Sequence, residues 1–269
     1  MNGPIYAGID MGSRTCKTVL MTLEGDIVGY SIVDTGADPQ GAGMRSLKQA
    51  LSHCLCDPED IVNLVTTGYG RHRLSIAKAT ITEISCHAKG AHFLFPKTRT
   101  IIDIGGQDSK VIVIDEKGKV LDFVMNDKCA AGTGRFLEVM AMALEVGIAE
   151  MGKLSITARR SAPINSLCTV FAESEVISLI ASGTQKEEII RGLHESISKR
   201  IVRMAKGLNI EAEITLSGGV AKNIGIVDSM ERLLGVKINI PQEPQIVGAI
   251  GAALFAINLH KRGVRDGIK

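Results

Sequence analysis

Two aspartates give the clearest chemical signal in the chain. Asp10 ends one apolar run and Asp103 another, and each is followed by a glycine, Gly12 and Gly105. A carboxylate at a strand end beside a glycine turn suits a nucleotide's phosphates. The turn's backbone N–H groups face phosphate oxygens while the carboxylate holds Mg²⁺ through water. Laid without gaps, residues 9–28 and 102–121 match Ile9 with Ile102, Asp10 with Asp103, Gly12 with Gly105, Lys17 with Lys110 and Gly25 with Gly118. Turn chemistry alone favours Asp and Gly. The shared lysine and second glycine nevertheless mark one unit used twice, and two such turns can grip β- and γ-phosphates from both sides. Neither the P-loop pattern nor a G-x-G-x-x-G after the first strand is present. A third glycine site, Ser217-Gly218-Gly219-Val220-Ala221-Lys222-Asn223, stands between a strand pattern and a helix. Small residues there let a purine and ribose lie against the backbone, although an ordinary strand-to-helix turn has the same composition.

The cysteines are the second signal. Six of them, in a chain with no secretory leader pattern and an expected cytoplasmic location, argue against a disulfide framework and leave metal binding, catalysis or burial. Cys129 and Cys168 each precede a helical pattern. Thiolates bind iron–sulfur clusters, and helix N-termini offer a positive dipole end to an anionic group. No C-x-x-C pair exists and Cys54-x-Cys56 is spaced too tightly, so two copies of the chain, with two cysteines each, would be needed for four thiolates. Cys54, Cys56 and Cys86 read as buried packing, whereas Cys16 lies inside the first turn. His72, His87 and His92 share no ligand spacing with a carboxylate or cysteine cluster and read as structural or surface residues.

The elements that must position these groups alternate between strand and helix. Residues 43–54, 135–146, 172–182 and 186–208 place apolar residues at helical intervals, while 214–216 and 236–240 are strand-like. The pattern predicts an α/β chain of two lobes with one hairpin unit in each and a nucleotide cleft between them. The first lobe covers about 1–93, completed by a C-terminal helix over 245–260, and the second covers 94–244. A formal charge of +2 without a basic block suggests neither nucleic acid nor membrane surface as partner. The apolar stretch 246–258 is shorter than the roughly 20 residues of a membrane span. Aromatic residues make up 3% of the chain and Trp is absent, so stacking platforms are scarce.

In their order along the chain, these segments resemble the phosphate-1, phosphate-2 and adenosine motifs of the actin/Hsp70/sugar-kinase superfamily. More narrowly, four stretches are similar to the activator component of 2-hydroxyacyl-CoA dehydratases and the related ATPase subunits of benzoyl-CoA reductase. They are Asp103-Ile104-Gly105-Gly106-Gln107-Asp108-Ser109-Lys110, Asn126-Asp127-Lys128-Cys129-Ala130-Ala131-Gly132-Thr133-Gly134-Arg135-Phe136, Cys168-Thr169-Val170-Phe171-Ala172-Glu173-Ser174-Glu175 and Pro244-Gln245-Ile246-Val247-Gly248-Ala249.

The resemblance implies that Gly12, Ser13, Arg14, Thr15, Cys16 and Lys17 hold phosphates, with Gly105 and Gly106 in the second turn. Asp10 and Asp103 would hold Mg²⁺ through water, Gln107 would orient the attacking water, and Gly218, Gly219 and Gln245 would line the adenosine side. An amide orients water but cannot take a hydroxyl proton, which suits hydrolysis over kinase chemistry. Asp108 and Asp127 stay open as bases. The resemblance further implies one [4Fe–4S] cluster bridging a homodimer through Cys129 and Cys168 of both copies. ATP hydrolysis would move the lobes and drive an electron, supplied by ferredoxin or flavodoxin, into a dehydratase or reductase partner. A small-molecule kinase of the N-acetylglucosamine type is the alternative of the same fold and size. A filament-forming or chaperone-like ATPase would need further domains for which the chain leaves little room.

Overall fold

Burial explains why the first strand, β1 (Ile5–Met11), is apolar throughout: all seven residues are buried, as expected of a strand covered on both faces. It is central in a sheet ordered β3-β2-β1-β4-β5, with β2 Thr15–Met21, β3 Ile27–Asp34, β4 Ile61–Thr67 and β5 Ala79–Thr80. β1 runs antiparallel to β2 and parallel to β4. A second sheet repeats the plan as β8-β7-β6-β9-β10, from β6 Thr100–Ile104, β7 Ser109–Ile114, β8 Val120–Asn126, β9 Ile214–Ser217 and β10 Ile238–Asn239. There β6 is antiparallel to β7 and parallel to β9. The computed structural model describes residues 3–165 and 168–266, excepting the side chains of 264–266. They form two compact units. One holds the segments up to Thr98 and from Pro241 onward together with Ile114–Leu121; the other holds Arg99–Val113 and Asp122–Ile240.

Helix boundaries follow local chemistry. α1 (Pro39–Cys54) begins ahead of its apolar periodicity because Asp38 accepts the Gly41 N–H and Pro39 opens the first turn. α2 (Glu83–Leu94) is capped by Thr82. α3 (Gly134–Ala143) stops short of the expected 146, where Glu145 turns to φ 53°. α4 (Met151–Thr157) and α5 (Thr169–Ala181) follow. α6 (Lys186–Met204) ends before Gly207 at φ 105°. α7 (Ile224–Leu234) runs from the Asn223 cap to Gly235 at φ 71°. The strand expected over 236–240 pairs only at Ile238–Asn239.

In the first unit α8 (Val247–Asp266) lies against β1 and α2 at backbone contact. A Cβ at Gly8, Gly90 or Gly251 would overlap the carbonyl oxygen of Ala249, Val247 or Cys86. That approach buries Val247, Ala249, Ile250, Ala252, Ala253, Ala256 and Ile257, each isoleucine contributing about 2 kcal/mol.

The second unit's core, built on Phe136, Leu137, Met140, Ile189 and Leu193, also encloses His194 with no exposed surface. Asn223 caps α7 through Oδ1 and sets its Nδ2 3.3 Å from His194 Nε2. Nε2 therefore accepts and the ring stays neutral. Burial pushes its pKa down to about 3. Below the ordinary histidine value of about 6.5, the unfolded chain binds a proton that the folded chain refuses, so stability falls as pH drops from 6.5 towards 3. His194→Gln should flatten the acid limb between pH 6 and 4 by about 1.4 kcal/mol per pH unit. Urea unfolding across that range checks this, and identical limbs would refute it.

Candidate functional site

The two hairpins place an aspartate and a lysine directly opposite each other in the same register. Asp10 faces Lys17 across β1 and β2, and Asp103 faces Lys110 across β6 and β7. Each lysine Nζ lies 3.2 Å from an aspartate Oδ2. Between them run the turns 12–14 and 105–108. Thr35 closes the first, its hydroxyl donating to the Gly12 carbonyl at 2.7 Å and its N–H to that of Arg14 at 3.0 Å. Ser13 and Thr15 are half-buried and Arg14 is exposed. Cys16 points instead into the core, where burial, then Asp10, push its thiol up to about 12. It offers this turn only backbone.

Asp10 sits in a cationic setting. Besides Lys17 it meets the start of α8, where a Cβ on Gly248 would lie 3.3 Å from Asp10 Oδ2 and 3.0 Å from His87 Nε2. Half-buried Gln245, in the turn leading into α8, donates its N–H to Glu243 Oε1 at 3.1 Å. A helix N-terminus favours a neighbouring anion, so the start of α8 and Lys17 both face the carboxylate at its strand end.

Asp103 is bound more completely. Ser217 donates to Oδ1 at 2.8 Å, and Lys110 bonds both Oδ2 and the Asp108 carboxylate. All three charged groups are buried. Asp108, open as a base from sequence, is thus tied to a buried cation; Asp127 is exposed. Gln107 stands exposed at the turn, with Gly105 and Gly106 before it. Gly218 reaches φ 86° beside Asp103, where a side chain would overlap the Ile104 carbonyl, and Gly219 opens a short 3-10 turn. Carboxylates fixed this way can hold hydrated Mg²⁺ while the turn amides meet phosphate oxygens.

The Gly105–Gly106 turn is also joined to helix α3. The first amides of that helix, Gly134 and Arg135, donate to the carbonyls of Gly105 and Gly106 at 2.9 Å each. Cys129 lies in the loop that leads into it, half-buried, its carbonyl accepting from Asn126 Nδ2 at 2.7 Å. Cys168, exposed, is the N-cap residue of α5. Cys16, Cys54, Cys56 and Cys86 are buried. Burial above all raises Cys56 to about 11 and Cys86 to about 12, which keeps these as thiols and poor ligands. Among the described residues no group of three or more His, Cys, Asp or Glu is placed to hold a metal. Two accessible thiols suit a cluster in kind but fall short in number within one chain.

The profile of the BadF/BadG/BcrA/BcrD ATPase family matches residues 7–256. The chain belongs to this family. Its relatives include the activator of lactoyl-CoA dehydratase of Anaerotignum propionicum, 48% identical over 249 residues, with 93% of this chain and 96% of that protein covered. Two solved structures are similar throughout. One is component A of the (R)-2-hydroxyglutaryl-CoA dehydratase of Acidaminococcus fermentans, with TM-score 0.92, 42% identity and coverage of 96% of this chain and 99% of that one. The other is the activator of the 2-hydroxyisocaproyl-CoA dehydratase from Clostridium difficile with bound ADPNP, with TM-score 0.93, 43% identity and coverage of 97% of each. The family member is therefore an α/β ATPase with two actin-like lobes, and its relatives are named as dehydratase activators. Among the described residues no helix is long and apolar enough to cross a membrane.

Sequence reasoning passed over one part of the site. β4 ends in Thr67-Gly68, with Thr67 opposite Asp10, just as β9 ends in Ser217-Gly218 with Ser217 opposite Asp103. Both glycines sit at φ 86°. The signal was a hydroxyl residue before glycine after an apolar run, present in both halves.

The two lysines differ in burial, with side chains 14% exposed at Lys17 and 2% at Lys110. Lys110→Met leaves two buried carboxylates without this cation and should cost about 4 kcal/mol. Lys17→Met, beside water and the α8 terminus, should cost under about 2 kcal/mol. Urea unfolding of both variants checks the order; equal losses would refute it.

Proposed function

We propose that the protein is an ATP-dependent reductive activator: it binds MgATP at the turns around Asp10 and Asp103, hydrolyses it, and delivers a low-potential electron to a 2-hydroxyacyl-CoA dehydratase or a benzoyl-CoA-reductase-like partner. The observation that carries this reading is the bonding of the first two α3 amides to the Gly105 and Gly106 carbonyls. A phosphate binding or leaving at that turn acts on the helix that follows the Cys129 loop. Asp10 and Asp103 hold the metal's water shell. Ser13 to Lys17, with Gly105 and Gly106, take phosphate oxygens; Gln107 orients the attacking water; Gly218, Gly219 and Gln245 line the adenosine side. The names of the relatives support an activator of dehydratases.

Cys129 and Cys168 from each of two copies would hold one [4Fe–4S] cluster, which supplies the low-potential electron when bound. Self-association has a surface to use. α5, with Cys168 at its N-cap position, leaves Val170 66%, Phe171 67% and Ile177 55% exposed, an apolar face that an isolated chain has little reason to show water. Making an electron more reducing needs free energy, and different affinities of two conformations for ATP and ADP are an adequate source. Ferredoxin or flavodoxin suits as donor. A sugar kinase would instead consume ATP only with its acceptor present and would carry no iron.

Anaerobic purification tests the reading. About two irons per chain, a brown colour and a dimer are expected, with ATP turnover in the absence of any sugar. Cys129→Ser and Cys168→Ser should lose colour and dimer together, since metal shared by two chains contributes to their association. Cys54→Ser and Cys56→Ser should keep both. About four irons per chain, or a dimer indifferent to complete iron removal, would overturn the shared site.

A further inference from the structure

Each half sets a hydroxyl residue opposite its aspartate on the parallel neighbour, but only one of the two hydroxyls is bonded to the carboxylate. Asp103 receives the hydroxyl of Ser217, the residue opposite it on the parallel neighbour, at 2.8 Å. Thr67 holds the same place opposite Asp10, and Gly68 follows it as Gly218 follows Ser217. A Cβ on Gly68 would lie 2.6 Å from Asp10 Oδ1, so the turn runs hard against the carboxylate. It is fixed there: Gly70 N–H donates to the Met11 carbonyl at 2.9 Å, Thr66 Oγ1 to that of Arg71 at 2.8 Å and Arg71 Nη1 to that of Gly68 at 3.1 Å. Yet Thr67 Oγ1 is fully buried without a hydrogen-bond partner. The Cys86 thiol is close enough to feel that hydroxyl without meeting hydrogen-bond geometry.

A buried hydroxyl with no partner is destabilising, and valine has nearly its shape. We propose that Thr67 is the positioning residue of Asp10, its hydroxyl donating to Oδ1 when the hydrated metal of the nucleotide draws on the carboxylate, as Ser217 already does for Asp103. The inference rests on Asp10 serving the metal, as proposed above. Thr67 touches neither phosphate nor metal in this role; it orients the group that does. Outer partners of this kind typically change metal affinity 10–100-fold when removed.

The test is Mn²⁺ binding to the whole protein in saturating ADP, followed through the free-ion paramagnetic signal, with melting temperatures of the nucleotide-free form. Thr67→Val should weaken Mn²⁺ about tenfold while the nucleotide-free protein melts no lower than wild type, because a polar group that lacked a partner is gone. Thr67→Ser should restore the affinity. Asp10→Asn separates the two ideas. If it weakens Mn²⁺ and Thr67→Val does not, the positioning role falls and the nucleotide reading stands. If Asp10→Asn leaves Mn²⁺ untouched, both fall. A Thr67→Val protein that melts lower without nucleotide would show a structural hydroxyl and also overturn the proposal.

Discussion

A carboxylate buried at the end of a central strand cannot stay ionised unless something compensates for lost water. Each half of this chain answers with a lysine directly opposite on the next strand, and that pairing constrains the rest. It fixes hairpin register, because a slip of one residue would send the lysine to the other face of the sheet. It limits the turn to residues 12–14 in one half and 105–108 in the other. It also asks the parallel neighbour to end in a glycine, since at φ 86° a Cβ on Gly68 would lie 2.6 Å from Asp10 Oδ1 and one on Gly218 3.0 Å from Asp103 Oδ1. A side chain at either place would displace the carboxylate.

The two sites differ in what lies beyond the lysine. Asp10 has the N-terminal end of α8 beside it, supplied by a segment far along the chain and brought close through Gly8, Gly90, Gly248 and Gly251. Asp103 has a second carboxylate, Asp108, sharing its lysine, and a serine hydroxyl. One site draws its positive character from a helix end and a partly accessible ammonium. The other is a closed ionic cluster whose carboxylate orientation is already set. The first is thus the softer of the two, and there the unpartnered Thr67 hydroxyl resides.

Much of this was legible because hairpins are local. The Asp-x-Gly and lysine spacing repeats without gaps, so the alternating strands and the α/β plan follow from short-range pattern. β4 escaped notice: Asn63 and Thr66 interrupt its apolar run, and its kinship with β9 rests on a hydroxyl and a glycine that ordinary turns also use. α2 was hidden by Cys86, His87, Gly90 and His92, residues that make a weak helical stripe but a surface flat enough for α8 to lie on. The end of α3 could not be read because the apolar spacing carries on through Val146 while the backbone turns at Glu145. For Cys129 and Cys168 a preceding position was legible, but accessibility was not, since a single cysteine carries no sign of which side of a helix start it occupies.

Where the halves diverge shows what was added to the repeated plan. In the first, one α-helix, α1, and a short 3-10 turn join β3 to β4; in the second, α3, α4, α5 and α6 stand between β8 and β9. The insertion begins at the Cys129 loop, is hydrogen-bonded at once to the Gly105–Gly106 turn, and contains Cys168 at the cap of the apolar, largely exposed α5. On the function proposed above, the bonding of that turn to the start of α3 would give the Cys129 loop a short mechanical connection, with no long chain of packed side chains required to carry a change of state. Cys16, Cys56 and Cys86 cannot share this role, because burial holds their thiols protonated. Within the second unit the Gly105–Gly106 turn and the loop that carries Cys129 are joined through the Gly134 and Arg135 amides, and on the function proposed above these would be the bonds through which nucleotide acts on the thiols.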